Sequence, residues 1–190
     1  MRAALLIASL LLLTACDAEA SATPVTAAPS PVVVPSASVA PPNGTDLLFS
    51  EMMIAHHGQA VRMSDILLAK DGVPERVAAI ADYIRTDQSR EITEMNAWRE
   101  AWGSPPVRPD AAHDGEGHGM LTEDQLAALA AADTTAATRL YLEQMIEHHN
   151  GAIFMAKSIL QTGSNAYIRN LAKHIVNEQS SENTAMTNLL

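Results

Sequence analysis

The chain has 190 residues, of which 47% are hydrophobic and 18% are charged, and its formal net charge is −10 at pH 7. This acidic balance argues against nucleic-acid binding, which depends on clustered lysine and arginine side chains. The single cysteine, Cys16, excludes an intramolecular disulfide.

The N-terminal residues have the pattern of a secretory signal. Arg2 supplies one positive charge, and the apolar run after it is too short for a comfortable membrane span. The sequence Leu13-Thr14-Ala15-Cys16 resembles a bacterial lipobox, which implies cleavage before Cys16 and lipidation of its thiol. We therefore predict a signal peptide over residues 1–15 and a lipid anchor to the outer face of the cytoplasmic membrane, in the periplasm or at the cell surface. A soluble secreted protein with a free cysteine is the alternative.

Residues 16–45 are predicted to form a disordered tether. They consist almost entirely of alanine, proline, serine, threonine and valine, a composition that cannot pack a core. Such a segment would hold a folded domain, predicted over residues 46–190, away from the membrane surface.

Two segments of this domain repeat one another. Met53-Ile54-Ala55-His56-His57 is matched by Met145-Ile146-Glu147-His148-His149. A second block follows in each half: Ile84, Gln88, Glu91 and Met95 match Ile175, Gln179, Glu182 and Met186. We therefore predict two repeated units, over residues 46–102 and 133–190.

Each unit is predicted to be a helical hairpin. In chain order, the predicted helices run from about Asp46 to Lys70, Pro74 to Trp102, Thr122 to Ala132, Asp133 or Thr134 to Thr162, and onward from Asn165. Proline suits a helix start, glycine at position 163 suits a helix end, and Thr122 and Gln125 have the spacing of a capping box. Because one amphipathic hairpin cannot bury its apolar faces alone, the fold class predicted is all-α, a four-helix bundle with a short connecting helix.

The first helix of each unit carries two histidines and two methionines on one face at helical spacing. The two sets are Met53, His56, His57 and Met63, and Met145, His148, His149 and Met155. The second helices bring Met95 and Met186 to a complementary face. We predict these side chains as metal ligands, with the histidines as the primary ones. Glu91 and Glu182 are predicted to orient an imidazole by a hydrogen bond.

Imidazole nitrogen and thioether sulfur together favour copper, and thioethers favour the cuprous over the cupric ion. Zinc more often combines histidine with cysteine or carboxylate, and the predicted domain contains no cysteine. We therefore predict a copper-binding protein that serves sequestration, homeostasis or transfer. The sequence leaves open whether the protein binds a copper-handling partner protein or forms a homo-oligomer.

Weaker candidate ligands lie outside the matched positions. Met52 has no counterpart, because Gln144 occupies the matching position. His113, His118 and Met120 lie in a loop rich in glycine and proline, which is either an accessory metal-binding arm or a solvated polar segment.

Two other interpretations stay open at this point. Methionine on a helix face is usually core packing, so the domain could be a structural or interaction module. A metal oxidase or another redox enzyme could use the same site, but no separate acid, base or nucleophile group accompanies it, and the Glu-x-x-His pair of di-iron bundles is absent from the sequence. The prediction is therefore a protein that is not an enzyme.

The doubled motif resembles the bacterial family known as domain of unknown function 305. The resemblance rests on Met53-Ile54-x-His56-His57, on Gly117-His118-Gly119-Met120 and on Met145-Ile146-x-His148-His149. It extends over roughly residues 46–190, and it implies a ferritin-like four-helix bundle, export from the cytoplasm and copper binding. This chain has one Gly-His-Gly-Met step in place of a longer loop rich in methionine and histidine, so high-capacity copper binding by the loop is not expected.

Overall fold

The computed structural model of the protein describes residues 39–110 and 118–190. Within these residues the chain forms helices and no strand, which confirms the all-α prediction. The helices are α1 (Gly44–Leu68), α2 (Glu75–Ala101), α3 (Glu123–Ala131), α4 (Thr134–Thr162) and α5 (Ala166–Thr187). The predicted signal peptide, Cys16, most of the predicted tether and His113 lie outside the described residues.

Two helical hairpins form the bundle. Helix α1 packs most extensively against α2, and α4 against α5, while α1 and α4 join the two hairpins. The short helix α3 packs on α1 and α4, and α2 meets α5 over a smaller area. None of the helices in the described ranges combines the length and the apolarity needed to cross a lipid bilayer.

The helix ends follow local capping chemistry. The predicted capping box of α3 is confirmed: Thr122 accepts a hydrogen bond from Gln125 N, and the Gln125 side chain accepts one from Thr122 N. Asp133 and Asn165 cap α4 and α5. Helix α1 begins earlier than predicted, because Asn43 is the capping residue and forms a capping box with Asp46.

Asp46 also joins the first helix to the last. It is fully buried, and its carboxylate accepts hydrogen bonds from the backbone N–H groups of Ser164 and Asn165. The Ser164 hydroxyl donates to the same carboxylate at 2.9 Å. One side chain therefore holds the starts of α1 and α5 together at one end of the bundle.

The apolar core is divided into two clusters. Cluster A contains Met53, Met95 and Met155 together with Phe49, Ile54, Trp98, Ala152, Ala156, Ile159, Ile168, Leu171, Ala172 and Ile175. Cluster B contains Met63, Met145 and Met186 together with Ala60, Leu67, Val77, Ala81, Ile84, Leu121, Leu126, Leu129, Ala137, Tyr141 and Leu142. On each long helix the two clusters are separated by polar residues, so a polar layer crosses the middle of the bundle.

Candidate metal centre

The polar layer takes two residues from each of the four long helices. These residues are His56 and His57 of α1, Gln88 and Glu91 of α2, His148 and His149 of α4, and Gln179 and Glu182 of α5. All except Glu182 are buried, and the Glu182 side chain is only 11% exposed. Since buried polar groups cost free energy unless they are paired, this layer requires a physical reason.

A carboxylate from the neighbouring helix holds one histidine of each pair. His57 Nε2 lies 2.7 Å from Glu91 Oε2, and His149 Nε2 lies 2.7 Å from Glu182 Oε2. Because an ionised carboxylate only accepts, Nε2–H is the donor in both contacts, and the neutral tautomer of such a ring has its lone pair on Nδ1. Burial is the largest single influence on the pKa of Glu91 and raises it, but the hydrogen bond from His57 and the charges of His57, His174 and Arg90 together leave this pKa below its ordinary value. Glu91 is therefore charged at neutral pH.

The other two histidines meet at the centre of the layer. The ring centroids of His56 and His148 lie 3.7 Å apart at an interplanar angle of 36°. His56 Nε2–H donates to the carbonyl oxygen of His118 at 2.8 Å, which again leaves the lone pair on Nδ1. Burial lowers the pKa of His56 to about 3 and lowers that of His148 well below its ordinary value. Both rings are therefore neutral, which is the form that binds metals.

The Nδ1 atoms of all four histidines share one property. Each is buried and has no hydrogen-bond partner within residues 39–110 and 118–190, and the same holds for His148 Nε2. A buried polar atom left without a partner costs about 1–3 kcal/mol. For three of the rings a hydrogen bond anchors Nε2, so Nδ1 is the nitrogen left for another partner, as in metal-ligating histidines. The donor chemistry of the layer therefore fits a metal ion.

Thioethers lie on both sides of these histidines. In cluster A, Met53 is one turn before His57 on α1, and Met95 is one turn after Glu91 on α2. In cluster B, Met145 and Met186 have the same spacing from His149 and Glu182. Each cluster receives its third methionine from the opposite hairpin: Met155 in cluster A and Met63 in cluster B. All six of these methionines are buried.

The weaker candidates lie outside the layer. Met52 is partly buried and packs against cluster A, and Met120 is partly buried in the loop. The ring of His118 stacks on Phe154 with centroids 5.8 Å apart, and it is the backbone carbonyl of His118 that contacts His56.

The loop passes directly over the helices beside the histidines. A Cβ atom on Gly58 would lie 2.1 Å from the carbonyl oxygen of Pro109, and one on Gly151 would lie 1.6 Å from that of His118. Gln59 holds the end of the loop, because its side chain exchanges two hydrogen bonds with the backbone of Leu121. The sequence signal for this close approach of the loop is a glycine shortly after each histidine pair, Gly58 after His57 and Gly151 after His149. The sequence analysis did not predict this contact.

A second group of potential ligands was also missed. Among the described residues, Asp87, Glu91 and His174 form the one group of three carboxylate or imidazole side chains whose ligand atoms lie within 4.8 Å of one another. Within the described ranges the four layer histidines do not form another such group.

The family described as "Domain of unknown function (DUF305)" matches residues 46–190. The chain belongs to the DUF305 family. The resemblance seen in the doubled histidine motif is thereby confirmed. No curated protein sequence matches this DUF305 chain.

Solved structures of DUF305 proteins have the same helical fold. A DUF305 fragment from Deinococcus radiodurans is 28% identical with a TM-score of 0.72, and the match covers 79% of this chain and 97% of that one. CopM in its Cu(II)-bound form is 34% identical with a TM-score of 0.64, over 76% of this chain and 94% of that one. The Cu(I)-bound form of CopM is also 34% identical, with a TM-score of 0.62, over 77% and 96%. The DUF305 fold of this chain is thus shared with a protein crystallised with copper in both oxidation states.

Proposed function

We propose that this DUF305 protein binds copper, chiefly as the cuprous ion, in the polar layer of its bundle. The observation that carries the proposal is the set of buried Nδ1 atoms, which lack hydrogen-bond partners in the described part of the chain and lie between two thioether clusters. In this role the protein sequesters copper, contributes to copper homeostasis or transfers copper outside the cytoplasm.

The donor set supports a soft metal ion. Neutral imidazole nitrogen and thioether sulfur are the ligands that cuprous copper prefers, whereas a zinc site would more often use cysteine or carboxylate. CopM, which is 32–34% identical to this chain, has been crystallised with Cu(I), with Cu(II) and with silver. Silver(I) is likewise a soft monovalent ion, so the relative and the donor set of this chain point to the same class of metal.

The arrangement of the methionines supports two equivalent sites. We assign His57 with Met53, Met95 and Met155 to one site, and His149 with Met145, Met186 and Met63 to the other. His56 and His148 lie between the two sites in this assignment, where their closely packed, tilted rings offer a ligand nitrogen to either one. Each site draws on both hairpins, so copper binding would also fasten the hairpins together.

The surrounding residues have two tasks in this proposal. Glu91 and Glu182 fix the rotation of His57 and His149 and keep the proton on Nε2, so that Nδ1 is the ligand atom. The buried layer and the loop over Gly58 and Gly151 keep water away from the metal. Exclusion of water favours a copper ion bound by neutral nitrogen and sulfur ligands over a hydrated copper ion.

Export and anchoring form a separate part of the proposal. The lipobox-like sequence before Cys16 supports a lipid anchor, and a related DUF305 structure from Streptomyces coelicolor, 33% identical, is named as a candidate secreted protein. Fractionation of cells that express the full chain should place it in the membrane fraction, and Cys16→Ser should release it. A membrane fraction unchanged by this substitution would contradict the anchor.

Anaerobic titration in competition with a chromogenic cuprous chelator tests the copper site. Replacing His56, His57, His148 and His149 together should abolish tight binding. Because that variant alters a buried layer, Met53→Leu provides a second measure, since leucine preserves the volume and removes the sulfur. We expect at least a tenfold loss of cuprous affinity at one site for Met53→Leu.

The matched control is Met52→Leu, the same substitution at the adjacent position. Met52 is partly buried and lies outside the assigned ligand set, so its replacement should leave cuprous affinity unchanged. Equal affinities for the wild type, the Met53→Leu variant and a folded four-histidine variant would refute the proposal and favour a structural module whose histidines and methionines are core residues.

A further inference from the structure

A second group of ligand-type side chains lies where α2 meets α5. Asp87 and Glu91 belong to α2 and His174 to α5, and one ligand atom from each lies within 4.8 Å of the others. Glu91 is buried, Asp87 is half-buried, and 44% of the His174 side chain is exposed. The group is therefore closed on the inner side by Glu91 and open to solvent at His174.

The two oxygens of Glu91 have different surroundings. Oε2 accepts the hydrogen bond from His57, while Oε1 is buried and has no hydrogen-bond partner in the described ranges. His174 Nε2 lies 3.4 Å from this Oε1, close enough for both atoms to bind one cation. The residue as a whole is only 3% exposed, so an unpaired carboxylate oxygen points from the interior toward the exposed imidazole.

The charges around the group favour a cation. Arg90 donates to Oδ1 of Asp87 and to Glu94, which leaves Oδ2 of Asp87 for another partner. Glu178 of α5 lies 3.9 Å from His174 Nδ1 and adds a further negative charge. The carboxylates of Asp87, Glu91, Glu94 and Glu178 are thus accompanied by only one guanidinium and one imidazole. A bound divalent ion would reduce the repulsion among these carboxylates.

We propose that Asp87, Glu91 and His174 bind a divalent transition-metal ion, with zinc as the best-matched ion. Two carboxylates and one imidazole, with an open fourth position, form a ligand set typical of zinc and unlike the thioether set of the polar layer. This site does not depend on copper binding in the layer. It shares Glu91 with the layer, because the same carboxylate also orients His57.

The internal repeat gives this group a matching set of positions with different chemistry. The counterparts of Asp87, Glu91 and His174 are Glu178, Glu182 and Tyr83. The Tyr83 hydroxyl donates a hydrogen bond to Glu178, and this bond helps raise the pKa of Tyr83 to about 12. Tyr83 therefore stays protonated and acts as a donor where His174 offers a lone pair. The first set has all three ligand groups, and its counterpart lacks only the imidazole.

This difference supplies a matched pair of variants. The full chain is first loaded with silver(I), which occupies soft sites, and is then titrated with zinc by calorimetry. The wild type should bind one zinc ion. His174→Tyr should weaken zinc binding at least tenfold, and Tyr83→His should add a second zinc ion opposite Glu178 and Glu182. Both positions are exposed, so the variants should keep the fold, which circular dichroism melting checks.

Two controls separate this proposal from copper binding in the layer. His174→Tyr should leave cuprous affinity unchanged, because His174 is not among the assigned copper ligands. If the polar layer binds no soft metal, the zinc titration is run without silver. The zinc proposal can therefore be refuted or supported whatever the outcome for copper. Unchanged zinc binding by His174→Tyr, or the absence of an added site in Tyr83→His, would overturn the zinc assignment.

Discussion

Replacing Glu91 with glutamine tests whether the buried carboxylates position the metal-binding histidines. Glu91 Oε2 accepts from His57 Nε2 at 2.7 Å, and neither side chain is more than 4% exposed. Glutamine keeps the shape and one acceptor oxygen but removes the negative charge. A charge-assisted hydrogen bond is about twice as strong as a neutral one, so the substitution weakens the hold on the ring without emptying the space.

The expected loss can be estimated from this contact. Removing the hydrogen-bond partner of a metal-ligating histidine typically lowers metal affinity about 10- to 100-fold. This corresponds to roughly 1.4–2.8 kcal/mol of binding free energy. We therefore expect Glu91→Gln to weaken one cuprous site by this factor, and Glu182→Gln to weaken the other similarly, because His149 and Glu182 are also 2.7 Å apart.

Anaerobic chelator competition measures both affinities, and Glu94→Gln is the matched control. Glu94 lies on the same helix but pairs with Arg90 at the surface, so its substitution should leave copper binding unchanged. If Glu91→Gln and Glu182→Gln bind copper like the wild type and only their melting temperatures change, the carboxylates serve packing and the proposed orientation of the imidazoles is refuted.

Two further predictions concern the metal-free fold. Gly151→Ala places a Cβ 1.6 Å from the carbonyl oxygen of His118, so the loop must shift and its hydrogen bond with His56 is lost. Overpacking and a lost hydrogen bond should together lower the free energy of unfolding by about 2–4 kcal/mol in urea denaturation, and a loss below about 1 kcal/mol would contradict the close approach. Gly44→Ala is the control, since nothing in the described chain lies within 4 Å of its added Cβ. Burial lowers the pKa of His56 to about 3, so between pH 6.5 and 3 the unfolded chain binds a proton that the folded chain does not. The contribution of His56 to the free energy of unfolding should therefore be fully present above pH 6.5 and should decrease as the pH drops. His56→Gln should make this decrease smaller. A variant whose free energy of unfolding depends on pH just as in the wild type would exclude a contribution from His56.

Much of the fold could be predicted because its signals are local. The Thr122–Gln125 capping box and the caps at Asp133 and Asn165 depend on residues only a few positions apart, and the structure has all three. The start of α1 was misplaced by two residues because Asn43 and Asp46 both have cap-forming side chains. They act together, with Asn43 as the cap and Asp46 as its reciprocal partner.

The remaining features depend on contacts between distant segments. Nothing local predicts that Asp46 also binds the start of α5, or that the backbone at His118 rests on Gly151. The same reason explains why the group of Asp87, Glu91 and His174 was missed. Its members come from two helices whose relative rotation no sequence period specifies, whereas the histidine stripe repeats along one helix and so is visible in the sequence.

The most direct test of the central claim is a crystal structure of the full domain loaded with copper under reducing conditions, with anomalous data collected at the copper edge. We expect copper peaks inside the polar layer, bound through Nδ1 of the layer histidines and through methionine sulfur of clusters A and B. Copper bound only at exposed side chains, with the Nδ1 atoms of His56, His57, His148 and His149 free of metal, would contradict the claim.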